Sequence, residues 1–244
     1  MSAKDLATPW HSRFAWRHPR AYLSLHGIGG ALLVAACLWI FAAIADAIPE
    51  RGGLVHFDQF AERWLQLHGT ETGETIFSYV SLLGAPVLIA VITIAILAYA
   101  YRRDWRRAVG LLTASAGGAL LNYLLKMVFH RGRPEFATEF ISRSTWSFPS
   151  GHAMDSVAGY GFLVFLLLQH PHSTARRRAI IVAYLVLVGA VGYSRVYLGV
   201  HYASDVIGGW VAGAAWLVVC MTGYRLPLSR TSSSAALADP PRSP

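Results

Sequence analysis

Residues 76–101 read IFSYVSLLGAPVLIAVITIAILAYAY, and RRDWRR follows at 102–107. No acidic or basic side chain interrupts the first stretch. In a helix rising about 1.5 Å per residue it exceeds the roughly 30 Å of a bilayer's hydrocarbon core, so it predicts a membrane-crossing helix stopped by a basic turn. Working outward, similar runs occupy 24–45, 108–129, 153–169, 179–193 and 204–223. The expected architecture is all-α: an integral membrane bundle of six transmembrane helices. A composition of 55% hydrophobic and 14% charged residues fits a lipid solvent better than water. The runs at 153–169 and 179–193 are short, so their ends must extend into the polar segments beside them.

Charge placement orients the bundle. Lys4, Arg13, Arg17 and Arg20 precede the first run; Arg102, Arg103, Arg106 and Arg107 form the first alternate turn; Arg176, Arg177 and Arg178 form the second; Arg225, Arg230 and Arg242 end the chain. Between the first two runs lie Asp46, Glu50, Asp58, Glu62, Glu71 and Glu74 against only Arg51 and Arg63. The positive-inside rule then puts both termini in the cytoplasm and the loops 46–75, 130–152 and 194–203 on the other face. The net charge of +8 is dispersed between runs, which argues against a nucleic-acid partner and for the lipid bilayer.

The domain reading is a cytoplasmic segment 1–20, a transmembrane domain 21–225 and a disordered cytoplasmic tail 226–244 rich in Ser, Pro and Ala. The first apolar run is too long for a cleaved signal peptide and is expected to stay as a helix. Cys37 and Cys220 lie in separate runs, so no disulfide framework is expected. Phe57, Phe60, Trp64 and Leu67 recur at helical spacing among charges. They suggest an amphipathic helix that either lies in the membrane interface or packs over the bundle. Small residues at 114–119 and 208–214 permit close helix approach.

Polar groups at membrane boundaries are costly unless used or paired, and three clusters stand there, all on the non-cytoplasmic side. Lys126 sits among apolar neighbours, with six residues between it and Arg133-Pro134. Its ammonium must snorkel or find an anion, and Arg133 offers a fork suited to phosphate oxygens. Pro149-Ser150-Gly151-His152 precedes the fourth run and resembles a helix N-terminus, whose free N–H groups favour an anion. His152 can donate a proton to a leaving oxygen, or merely cap the helix. Asp155, one turn on, can hold the His152 ring or simply favour the helix N-terminus. Ser194-Arg195, five residues, His201, three residues and Asp205 form the third. Asp205 at i+4 can accept from one imidazole nitrogen of His201 and leave the other free to attack; the alternative is a structural pair closing a loop. Lys126, Arg133 and Arg195 with two histidines suit in-line phosphoryl transfer without a metal, and the cations would repel Mg²⁺ or Zn²⁺.

These motifs, Lys126-x6-Arg133-Pro134, Pro149-Ser150-Gly151-His152 and Ser194-Arg195-x5-His201-x3-Asp205, resemble the three signatures of the type 2 phosphatidic acid phosphatase superfamily, membrane lipid phosphatases related to vanadium haloperoxidases. The resemblance implies an active site at the extracytoplasmic helix ends. It implies a phosphohistidine at His201, oriented by Asp205, with His152 protonating the leaving group. Lys126, Arg133, Ser150, Gly151 and Arg195 would bind the phosphate. No cofactor is implied. The implied substrate is a lipid phosphate: undecaprenyl diphosphate, phosphatidylglycerol phosphate, phosphatidic acid or a lipid A phosphate. Phosphotransfer to another acceptor differs only in what replaces water. Halide oxidation fits soluble relatives rather than this chain, and a transporter would call for an inverted repeat that is not visible. The outward site suits carrier-lipid recycling in a bacterial inner membrane.

Overall fold

The computed structural model describes residues 19–49, 52–134 and 146–225. Most of the expected 1–20 segment, the whole 226–244 tail, Glu50 and Arg51 lie outside the described residues. Among the described residues every regular element is helical: α1 (Pro19–Ala47), α2 (Gly53–His68), α3 (Glu71–Leu82), α4 (Pro86–Tyr101), α5 (Trp105–Phe129), α6 (Gly151–Leu167), α7 (Thr174–Tyr197) and α8 (Ala203–Arg225). Five stretches are long and apolar enough to cross a membrane: Gly27–Ala47, Glu71–Tyr101, Trp105–Phe129, Thr174–Tyr197 and Ala203–Arg225. The fourth expected run, α6, forms a shorter apolar helix.

Its shortness is matched by its position. α6 contacts α4, α5, α7 and α8, and Ala153, Met154, Ala158, Phe162 and Leu166 on it are fully buried. The perimeter is the reverse, with Trp39, Leu32, Ile94 and Val186 largely exposed. An apolar rim around a core of small and aromatic residues is what lipid solvation of a bundle demands.

Run 76–101 is interrupted rather than continuous. Pro86 has no N–H to donate and its ring crowds the preceding turn, so α3 ends at Leu82 and α4 starts afresh. Tyr160 Oη donates to the carbonyl of Leu83 at 2.7 Å, which satisfies backbone left open by the break. A Cβ on Gly84 in this break would stand 2.5 Å from Val191 Cγ1 and 3.0 Å from His152 Cδ2. The break therefore lets the α3–α4 corner close over the start of α6. Run 179–193 grows at both ends, and α7 takes in Arg195 as the short run required.

The small residues of α8 do what their spacing suggested. A Cβ on Gly209 would lie 2.6 Å from the Ser150 carbonyl oxygen, and one on Gly213 would lie 2.7 Å from that of Met154. Only glycine lets α8 run this close to the backbone at 150–154. The amphipathic helix forms as α2, with Phe60 and Leu67 at 65% and 81% exposure. Both cysteines are free.

Candidate active site

The polar ends of α5, α6, α7 and α8 meet at one end of the bundle, together with α2. The last turn of α5 delivers Lys126; His130 then adopts a left-handed conformation (φ 45°) that turns the chain toward Arg131 and Arg133. The Ser147 amide donates to the Arg131 carbonyl at 2.8 Å, so the described residues either side of 135–145 are tied together. Lys126 Nζ donates to the carbonyls of Trp146 (2.5 Å) and Ser147 (3.2 Å). The ammonium thus turns inward to protein acceptors. It lies within electrostatic reach of Arg133, Asp205, Asp155 and Arg195.

Phe148, fully buried against Phe41 and Phe129, anchors the start of the second motif. Asn122 Nδ2 donates to the Pro149 carbonyl at 3.2 Å, and the Ser150 amide donates to the Asp205 carbonyl at 2.9 Å. Ser150 is the N-cap of α6, yet its buried Oγ has no hydrogen-bond partner. Arg195 donates from Nη1 to Ser81 Oγ, while its buried Nε also has no partner. Buried polar atoms are normally satisfied, so these two orphans fit groups reserved for an anion. A Cβ on Gly151 would meet Asn122 Oδ1 at 3.1 Å, which accounts for glycine there.

His201 is buried in the turn between α7 and α8, its amide donating to the Arg195 carbonyl at 3.2 Å. Its Nδ1 lies 3.4 Å from Asp205 Oδ2 and 3.4 Å from Ser147 Oγ, long contacts but both on one nitrogen. Burial pushes the imidazole pKa down to about 4, with Asp205 partly offsetting it, so the ring is neutral at neutral pH. Asp205 is fully buried. Its Oδ2 also accepts from the Tyr202 amide at 2.9 Å and from Ser147 Oγ, and its Oδ1 accepts from Arg131 Nη1 at 2.6 Å. Arg133 donates from Nη1 to the Val200 carbonyl at 2.9 Å, and burial lowers its pKa despite Asp205 nearby. His152 sits within electrostatic reach of Arg195, His201, Arg133 and Lys126.

The structure therefore gathers Lys126, Arg133, Ser150, Gly151, His152, Arg195, His201 and Asp205 in one place. It does not give Asp155 the role of holding His152: the buried Asp155 Oδ1 has no hydrogen-bond partner. Sequence reasoning missed Arg131, Asp58, Ser147, Ser81 and Asn122. A second arginine two residues before Arg133 was the one visible sign of the first.

Residues 107–226 match the family model described as the PAP2 superfamily. The chain is 39% identical over 116 residues to phosphatidylglycerophosphatase B of Bacillus subtilis (strain 168), a match covering 46% of this chain and 55% of that protein. It is 39% identical over 72 residues to undecaprenyl-diphosphatase of Sulfolobus acidocaldarius, covering 30% of each. The chain thus spans about half or less of these relatives' lengths. The crystal structure of the first transmembrane PAP2 type phosphatidylglycerolphosphate phosphatase from Bacillus subtilis superposes with a TM-score of 0.69 at 28% identity, covering 77% of this chain and 93% of that one.

Proposed function

We propose, from the match of residues 107–226 to the PAP2 superfamily model, that this chain is a metal-independent phosphatase acting on a lipid phosphate through His201. The observation that carries this reading is the buried, neutral His201, its Nδ1 turned to Asp205, its amide on the Arg195 carbonyl, and Lys126 and Arg133 within electrostatic reach. A nitrogen lone pair is then available at Nε2, while the carboxylate behind the ring steadies the positive charge that develops on attack.

In the first step Nε2 attacks phosphorus in line, the P–N bond forms, and the P–O bond to the lipid or its phosphate breaks. The leaving oxygen takes its proton from His152. Three cations would crowd an imidazolium at His152, but a bound phosphate offsets them, so substrate binding itself makes the protonated form tenable. Lys126, Arg133 and Arg195, with Ser150 and the Gly151 amide, neutralise the equatorial oxygens; each charge-assisted hydrogen bond contributes about 1.5–3 kcal/mol. In the second step water attacks the phosphohistidine, giving its proton to His152, and inorganic phosphate leaves.

The accompanying topology has six crossings, α6 being the short one, both termini cytoplasmic and the site facing the exterior of a bacterial inner membrane. The arginines of 102–107 stand in the turn into α5 and in its first turn, and Arg225 ends α8, at the end away from His201, in support of this orientation. The 21–225 region is the phosphatase domain. Undecaprenyl diphosphate is the preferred substrate because an outward site suits recycling of a carrier lipid, with phosphatidylglycerol phosphate and phosphatidic acid as competitors. The test is phosphate release by purified protein from these lipids and a lipid A phosphate, in EDTA. The expected result is release that is abolished in His201→Ala and a specificity constant highest for undecaprenyl diphosphate. Equal constants on all four would reject the substrate, and full release by His201→Ala would reject the mechanism.

A further inference from the structure

Asp58 belongs to α2, the amphipathic helix with its apolar side chains exposed, yet Asp58 itself is buried. Its Oδ2 accepts from Arg131 Nη2 at 2.8 Å and from Ser204 Oγ, and its Oδ1 accepts from the Ser204 amide at 2.9 Å. The other arm of the same guanidinium, Nη1, donates to Asp205 Oδ1 at 2.6 Å and to Ser204 Oγ at 2.7 Å. The fork lies 4.2 Å over the ring of Tyr202, the residue following His201. One arginine therefore spans two buried carboxylates, one on α2 and one behind the nucleophile. Burial works against the charge on Arg131, but the pull of Asp205 and Asp58 prevails and raises its pKa.

We propose that Asp58 and Arg131 are positioning residues for phosphoryl transfer: the pair clamps the Asp205 carboxylate in the orientation that fixes His201, and it ties the nucleophile to the seating of the amphipathic helix α2. This rests on the reading of His201 as nucleophile. Asp58, Arg131 and Asp205 together carry one negative charge, which matches the single positive charge that appears on the imidazole ring as Nε2 bonds to phosphorus. Without Asp58 the trio becomes neutral when Asp205 is needed most. Without Arg131 two carboxylates face each other across Ser204, and Asp205 Oδ1 is freed to rotate.

The charged and titratable groups around this assembly set the sign of a test. His201 lies within electrostatic reach of Asp205, Lys126, Arg133 and His152, while Glu62 of α2 and Arg131 lie within reach of Tyr202. Asp58→Asn removes a negative charge and lowers the affinity of His201 for a proton; Arg131→Gln removes a positive charge and raises it. The acid limb of kcat/KM, which reports the free enzyme, then moves to lower pH in the first variant and to higher pH in the second. In both, kcat falls by about tenfold to hundredfold, as loss of an orienting outer partner does elsewhere, with KM little changed.

Each variant is purified full-length in detergent, its folded fraction is measured by thermal unfolding, and phosphate release from a lipid phosphate is followed from acid to neutral pH. Arg131→Gln leaves a buried carboxylate without its cation and risks misfolding, so the double variant Asp58→Asn/Arg131→Gln is measured as well. Its acid limb returns toward the wild-type position, whereas Asp58→Glu recovers much of kcat. Wild-type kcat in both single variants, or losses that track the folded fraction with the limb unmoved, overturns the proposal. His201→Ala is run alongside. If it retains release, the nucleophile reading falls; if it is dead while the Asp58 and Arg131 variants behave like wild type, only the positioning role falls.

Discussion

Replacing Asp205 by Asn changes one atom and removes the charge on which the nucleophile leans. Asp205 accepts at Oδ1 from Arg131 at 2.6 Å and at Oδ2 from the Tyr202 amide at 2.9 Å, from Ser147 Oγ and, at 3.4 Å, from His201 Nδ1. An amide has one acceptor oxygen. If that oxygen turns to Arg131, the –NH₂ confronts the Tyr202 N–H and the imidazole N–H; if it turns the other way, the –NH₂ confronts the guanidinium. Either orientation leaves a buried donor without its acceptor, at a cost of about 1–3 kcal/mol. Arg131 keeps Asp58, which holds the loss below the full price of a broken buried ion pair. The catalytic effect is larger than the structural one. An imidazole deprived of its carboxylate adopts the wrong tautomer, and in a catalytic triad the same substitution lowers kcat about 10⁴-fold. The assay is phosphate release in EDTA, with KM and the thermal midpoint measured on the same preparation. The expected outcome is a loss of kcat of that order, near-normal KM and a modest fall in midpoint. A kcat within about tenfold of wild type, where 1.36 kcal/mol corresponds to tenfold, would show that Asp205 does not orient the nucleophile.

Other measurements follow from the same geometry. His201 must be unprotonated to attack, and burial holds its pKa at about 4, so His201 should add no acid limb to kcat/KM until pH drops through about 4. A limb near the ordinary 6.5 would mean that water reaches the ring. The same depression has a stability consequence: the unfolded chain takes up the proton first, so this contribution is full above pH 6.5 and is lost as pH falls toward 4, readable in the thermal midpoint. Gly209→Val should destabilise by about 1–3 kcal/mol and cut activity, because its Cβ would lie 2.6 Å from the Ser150 carbonyl oxygen. The matched control is Gly223→Ala, where nothing lies within 4 Å and the midpoint should hold. Vanadate, a mimic of five-coordinate phosphorus, should inhibit competitively, and Arg195→Lys should weaken that inhibition because one ammonium replaces a planar fork; unchanged inhibition would remove Arg195 from the anion site.

Much of the site was legible because its chemistry is local in sequence. Asp205 stands four residues after His201, and the Ser150-Gly151-His152 run opens a helix, so spacing alone placed these groups on shared faces. What escaped notice joins distant segments. Asp58 lies in an acidic loop that reads as a topology bias, and nothing local links it to Arg131, 73 residues later. Asn122, one turn before Lys126, reads as a polar residue in an apolar run until its amide is seen on the Pro149 carbonyl. The interruption at Pro86 was equally hidden. Hydropathy is blind to a backbone break, and the run 76–101 is uniformly apolar across it. Asp155 was ambiguous for the opposite reason: its i+3 spacing from His152 permitted a contact or a helix N-terminal role alike, and its buried Oδ1 takes no hydrogen-bond partner.

The most direct test of the account is to trap the enzyme in mid-turnover. Acid-labile, base-stable phosphate should appear on the protein when a lipid substrate labelled in its terminal phosphate is mixed rapidly and quenched in alkali. Peptide mapping should place that label on His201 and find none in His201→Ala. Rapid turnover with no labelled protein at any quench time, or label on a residue other than His201, would contradict it.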